Sequence, residues 1–142
     1  IPEFPMRKML IAVAVLAFSA STVLAAAFTS PGAGTPQRKA ILDALRPAVE
    51  RQLGVRPIEF VVEEIRVGGG WAFVRVTPRR KGGGAIRNPD QEADGVHTEA
   101  VLRQVGGRWQ VKEFGIGSTD VWWIGLCRET PAGLMGQWCR GT

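Results

Sequence analysis

Tyrosine is absent from this chain, histidine occurs once (His97), and the only cysteines are Cys127 and Cys139. These shortages remove whole classes of chemistry. A zinc site needs several Cys or His ligands at short, regular spacing, and no such spacing occurs; no calcium-loop pattern occurs either. The glycine runs at 68–70 and 82–84 lack the terminal Gly-Lys-Ser/Thr of a phosphate-binding loop, and neither opens a predicted helix. No serine-nucleophile signature surrounds Ser118. The expectation is therefore a chain with no cofactor, no metal and no catalytic residues. Long apolar runs are missing too. The strongest, Met9 to Phe18, falls short of the roughly 20 residues that cross a bilayer.

What the N-terminus does contain reads as an address. Residues 1–5 precede an internal Met6, fit nothing that follows, and read as a cloning scar. Arg7 and Lys8, the apolar run, and small residues through Val23-Leu24-Ala25 make 6–27 an export signal, with cleavage expected after Ala25 or Ala27. No cysteine lies near that point for a lipid anchor, so no stable membrane anchor is expected after cleavage. The expected location is periplasmic or secreted. There an isolated cysteine pair close in sequence forms a disulfide, here Cys127–Cys139, which is expected to stabilise the fold by about 3 kcal/mol. Without Arg7, Lys8 and Glu3, the 18 basic and 13 acidic residues become 16 and 12, a net charge of +4. That suits an acidic partner without demanding one.

The remaining chain reads as one domain, 35–142, after a flexible lead-in at 28–34. Thr35-Pro36 has the form of an N-cap followed by a first-turn proline. Ile41, Leu42, Leu45, Val49 and Leu53 then recur at helical spacing up to Gly54. Pro47 predicts a kink or break in that helix. From Ile58 the period changes to two. Ile58, Phe60 and Val62 alternate with Glu59, Val61 and Glu63, and the apolar phase then shifts to Ile65 and Val67, which predicts a bulge. Gly68-Gly69-Gly70 turns the chain into a strand from Trp71 to Val76, ended by Pro78. Thr77 to Gly95 is aperiodic and reads as a long exposed loop. Val96 to Val105 and Arg108 to Ile116 form a second hairpin around Gly106-Gly107. Ser118-Thr119-Asp120 is placed to cap a short helix reaching Leu126, and the tail to Thr142 folds back under the disulfide.

The expected fold is α+β: one N-terminal kinked helix packed on a four-stranded antiparallel sheet, with a disulfide-closed C-terminal tail. Ile41, Leu45 and Val49 should meet sheet residues such as Phe60, Trp71 and Trp109. Over 35–117 the order of elements resembles the cystatin-like and NTF2-like modules, in which a curved sheet wraps a helix. That resemblance implies architecture only, because such folds host binders, inhibitors, dimerisation modules and a few enzymes.

Two features point to a surface. Arg79, Arg80, Lys81 and Arg87 form the one dense basic patch. No aromatics are interleaved with it and an export signal precedes it, so nucleic acid is not the expected partner. Trp122 and Trp123 are adjacent, so one is expected to plug the sheet while the other meets a partner. The reading is a non-enzymatic binding or protein-interaction domain, its partner a periplasmic protein or an anionic envelope component. The alternative is a small-ligand pocket or minor enzyme in the sheet's concavity, using His97, Glu99, Asp120 and a hydroxyl. The strand carboxylates Glu59, Glu63, Glu64, Glu99 and Glu113 are otherwise expected on the solvated side of the sheet.

Overall fold

A computed structural model describes residues 2–3 and 27–142; apart from Ala27, the export signal lies outside the described residues. The domain has one α-helix, α1 (Pro36–Leu53), and four strands: β1 (Ile58–Gly68), β2 (Trp71–Arg80), β3 (Thr98–Val105) and β4 (Arg108–Ile116). Two single turns of 3₁₀-helix follow at Ile124–Cys127 and Gly136–Cys139. The strands pair antiparallel in sequence order, β1-β2-β3-β4.

The helix begins where the sequence signals it. Thr35 Oγ1 accepts from the Arg38 amide, Pro36 opens the first turn, and Gly54 closes the last in the left-handed region. Its buried stripe is Ile41, Leu45, Val49 and Leu53. The helix runs through Pro47 as a single element, so of the kink or break expected there the break does not occur. Pro47 lies on the exposed side of the helix, away from the buried stripe. The Lys39 and Arg46 side chains both bond the Asp43 carboxylate and hold its pKa below the ordinary 3.8.

Alternation sorts each strand between two faces. Ile58, Ala72, Val74, Val76, Ala100, Leu102 and Ile116 face α1, with Phe60 and Trp109 half-buried beside them. The register of β1 against β2 shifts between Val62 and Glu64, and this bulge returns Ile65 and Val67 to the same core. Pro78 does not end β2. It pairs with Phe60 in register, and the strand continues to Arg80, so the loop after it is shorter than the sequence indicated. Nor is that loop wholly exposed. Ile86 is buried in the helix-side core, and Asn88 Nδ2 donates to the carbonyls of Gly95 (2.9 Å) and Ile116 (3.3 Å).

The opposite face holds a second core. Trp71, Phe73 and Val101 are buried against Leu126, Leu134 and Met135 of the tail. Trp71 therefore packs away from α1, because its odd position in β2 shares a face with Phe73 and not with Ala72 or Val74. The tail covers this face as a third layer, closed by the Cys127–Cys139 disulfide. The lead-in is pinned as well. Thr29 exchanges two 2.8 Å backbone hydrogen bonds with Val67, and Phe28 joins the tail-side cluster.

Candidate functional site

The tail covers only part of the sheet's second face. Over the first half of β2 that face is apolar and buried; over the second half it is polar and more open. Arg75, Thr77 and Arg79 succeed Trp71 and Phe73 along β2, and Glu99 lies opposite Arg75 on β3. Across on β1, Glu59 pairs with Arg79 and Val61 with Thr77, while Glu64 opposes Arg75 beyond the bulge. The result is a ledge of cross-strand polar pairs. Glu59 Oε1 accepts from Arg79 Nε at 2.9 Å, and Thr77 Oγ1 donates to Glu63 at 2.6 Å. Val61, 40% exposed, lies among them.

The inner end of the ledge is more enclosed. The Glu99 side chain is only 7% exposed, contrary to the expectation of a solvated strand carboxylate. His97 Nδ1 lies 3.0 Å and 3.2 Å from its two oxygens, and the His97 side chain is 42% exposed. Burial of Glu99 follows from its neighbours. On β4 it faces Gly115, which has no side chain, and the Trp122 ring and Ser118 close over that gap. A Cβ at Gly115 would fall 2.5 Å from Trp122 Nε1 and 2.9 Å from Ser118 Cβ.

Both tryptophans of the pair are half-buried; neither is left standing in solvent. Trp123 Nε1 donates to the Trp138 carbonyl at 2.8 Å, and its ring meets Trp138 edge-on at 4.4 Å between centroids. Trp122 contacts Trp123 edge-on at 5.9 Å. These rings belong to the tail-side core, extended by Phe73 against Trp138 at 5.5 Å. The exposed apolar residues of this segment are Val121 and Ile124. The short helix expected here is a single 3₁₀ turn, Ile124–Cys127, entered from Trp123 with no side-chain cap, so Ser118-Thr119-Asp120 does not cap it.

The basic patch divides. Arg79 is on the ledge; Arg80, opposite Ile58 in register, starts from the other face of β2 and Lys81 follows the strand's end, both exposed; and Arg87 lines a separate groove of about 570 Å³ formed by residues 86–95. Trp122 does not meet these cations. It borders a notch of about 260 Å³ with Asp90 and Glu92 of the β2–β3 loop and Ser118 and Asp120 of the segment after β4. Trp122 and Arg79 thus mark opposite ends of the ledge, separated by two strand spacings and four residues, roughly 16 Å on the diagonal.

Sequence reasoning missed one cluster. A groove of about 250 Å³ runs between the ledge and the tail, lined by Glu64, Arg66 and Arg75 from the sheet and Gln137, Trp138 and Arg140 from the tail. Its signal was present: Arg66 and Arg75 interrupt otherwise apolar strand segments. Among the described residues, no three His, Cys, Asp or Glu side chains converge as a metal set. Comparison with protein families, with curated proteins and with solved structures returns no match for this chain.

Proposed function

We propose that this chain is a non-enzymatic binding domain of the periplasm or extracellular space. Its recognition surface is the half-open ledge between Trp122 and Arg79, extended by Arg80 and Lys81. Its partner is a periplasmic protein or an anionic envelope component. One observation carries the reading: the tail buries the apolar half of the second face and leaves the polar half accessible. Covering the polar half would cost the desolvation of its charges, so it stays open, and there it offers charged side chains and the exposed Val61 to a partner. The exposed ion pairs there contribute little to stability, since such pairs give about 0–1 kcal/mol each. The disulfide fits an oxidising compartment, and among the described residues no helix is long and apolar enough to cross a membrane.

The test is capture of the partner from an envelope extract, followed by binding kinetics of two variants at two salt concentrations. Trp122→Ala should weaken binding by about 2 kcal/mol or more, as loss of an aromatic anchor does. Replacing Arg79, Arg80 and Lys81 with Ala should chiefly lower the association rate and its salt dependence. Wild-type kinetics in both variants, with circular dichroism showing them folded, would overturn the proposal.

A second reading has an observation of its own. Glu99 engages Nδ1 of His97, which is how a carboxylate orients an imidazole whose Nε2 handles protons. On that reading a turnover assay would find activity that is lost in His97→Gln.

A further inference from the structure

The groove between sheet and tail contains more positive charge than its structural role uses. Three guanidiniums, of Arg66, Arg75 and Arg140, face the single carboxylate of Glu64, a net charge of +2. The three are not equivalent. Arg66 is engaged at both terminal nitrogens: Nη1 donates to the carbonyls of Gly133 and Leu134, each at 2.8 Å, and Nη2 pairs with Glu64. Its work is to fasten the tail to β1. Gly136 makes room for it, because a Cβ there would lie 3.1 Å from Arg66 Nη1.

Arg75 is left short of acceptors. Its Nη1 is 3.6 Å from the second Glu64 oxygen, within ion-pair reach but beyond hydrogen-bond distance. Its Nε is buried with no acceptor. Glu99, its cross-strand neighbour, is taken up by His97. The Arg75 side chain is otherwise 39% exposed, which leaves its η-nitrogens open to the groove beside the unpartnered Nε. Across the groove Arg140 is exposed and has no ion-pair partner among the described residues. Gln137 adds an exposed side-chain amide on the same wall.

The geometry points to an oxyanion site in this groove, taking a carboxylate or phosphate group between Arg75 and Arg140. Because Arg75 Nε is buried, the anion meets that residue's terminal η-nitrogens. Charge-assisted bonds of this kind are the strong ones, and guanidiniums suit either a planar carboxylate or a phosphate. The disulfide ties Cys139, and so the chain next to Arg140, back to Cys127, which fixes the tail wall before any ligand arrives. The site shares Arg75 and Glu64 with the ledge but uses neither Trp122 nor Arg79, so its test and that of the ledge can fail separately.

The experiment is a titration of the full chain with inorganic phosphate and, separately, with acetate. Ionic strength is held constant with sodium chloride, and nitrogen-edited NMR follows the arginine Nε–H and indole N–H signals. Saturable shifts should concentrate on Arg75, Arg140 and Trp138, and the anion that saturates at lower concentration identifies the group the groove takes. Arg75→Gln and Arg140→Gln should each weaken binding by about tenfold or more, the cost of one charged hydrogen bond. Arg108→Gln, exposed at the β3–β4 turn, should leave it unchanged. Arg140→Gln removes an exposed side chain, so its result stands even if Arg75→Gln fails to fold. Saturation by neither anion, shifts spread evenly over exposed arginines, or unchanged affinity in folded Arg140→Gln would each overturn the site.

Discussion

At the scale of single residues, the most consequential position is a glycine. Gly115 lies directly opposite Glu99, and the space where its side chain would be is filled by Trp122 and Ser118. That one absence lets the indole come down on the sheet beside Glu99. Gly115→Ala should therefore displace Trp122 and destabilise the domain by about 1–3 kcal/mol, the usual cost of overpacking. Denaturant unfolding would measure the loss, and a change in tryptophan emission would report the moved ring. Unaltered emission and stability would mean that the Trp122 ring does not rest on this strand. The sequence showed a glycine near the end of a strand; it could not show which ring would lie over it, because that contact joins the sheet to the tail.

Elements followed local rules until packing intervened. The helix is set by its N-cap, its apolar spacing and its C-terminal glycine, all visible in sequence. Leu45 is fully buried at its centre, so Leu45→Ala should cost about 2–5 kcal/mol in denaturant unfolding, as large-to-small core changes do. An effect near zero would mean that α1 does not pack on the sheet. Neither proline interrupts its element. Pro47 stays within the helix because its side faces water, and Pro78 stays within β2, pairing with Phe60 in register. In both cases tertiary context outweighs the local penalty. The bulge after Val62 was legible, since the apolar phase itself changes there.

For the molecule as a whole, the decisive feature is that the sheet is covered on both sides. The tail buries Trp71, Phe73 and Val101 through Leu126, Leu134 and Met135, and the disulfide closes the segment that does so. Replacing Cys127 and Cys139 together with Ser should lower stability by about 2–4 kcal/mol, on the chain-entropy argument for a short loop, while α1 and the sheet still form. Unfolding followed by tryptophan fluorescence and by far-ultraviolet circular dichroism would check this: the tail tryptophans should report the loss first. Coincident loss of both signals at an unchanged midpoint would show that the disulfide contributes nothing. By itself the sequence determined the α+β class, the four strands and their hairpin order, the helix-side core and the cysteine pairing. Each of these rests on periodicity, turn residues or residue type, which act over a few positions. Only the tertiary structure decided that Trp71 turns from the helix, that Glu99 is buried beside His97, and that Trp122 borders acids while Arg79 lies across the ledge. It alone brought Arg75 and Arg140 to one groove. Those outcomes depend on where a tail without regular periodicity comes to rest, and burial against a distant surface is a property of the assembled layers that no local pattern encodes.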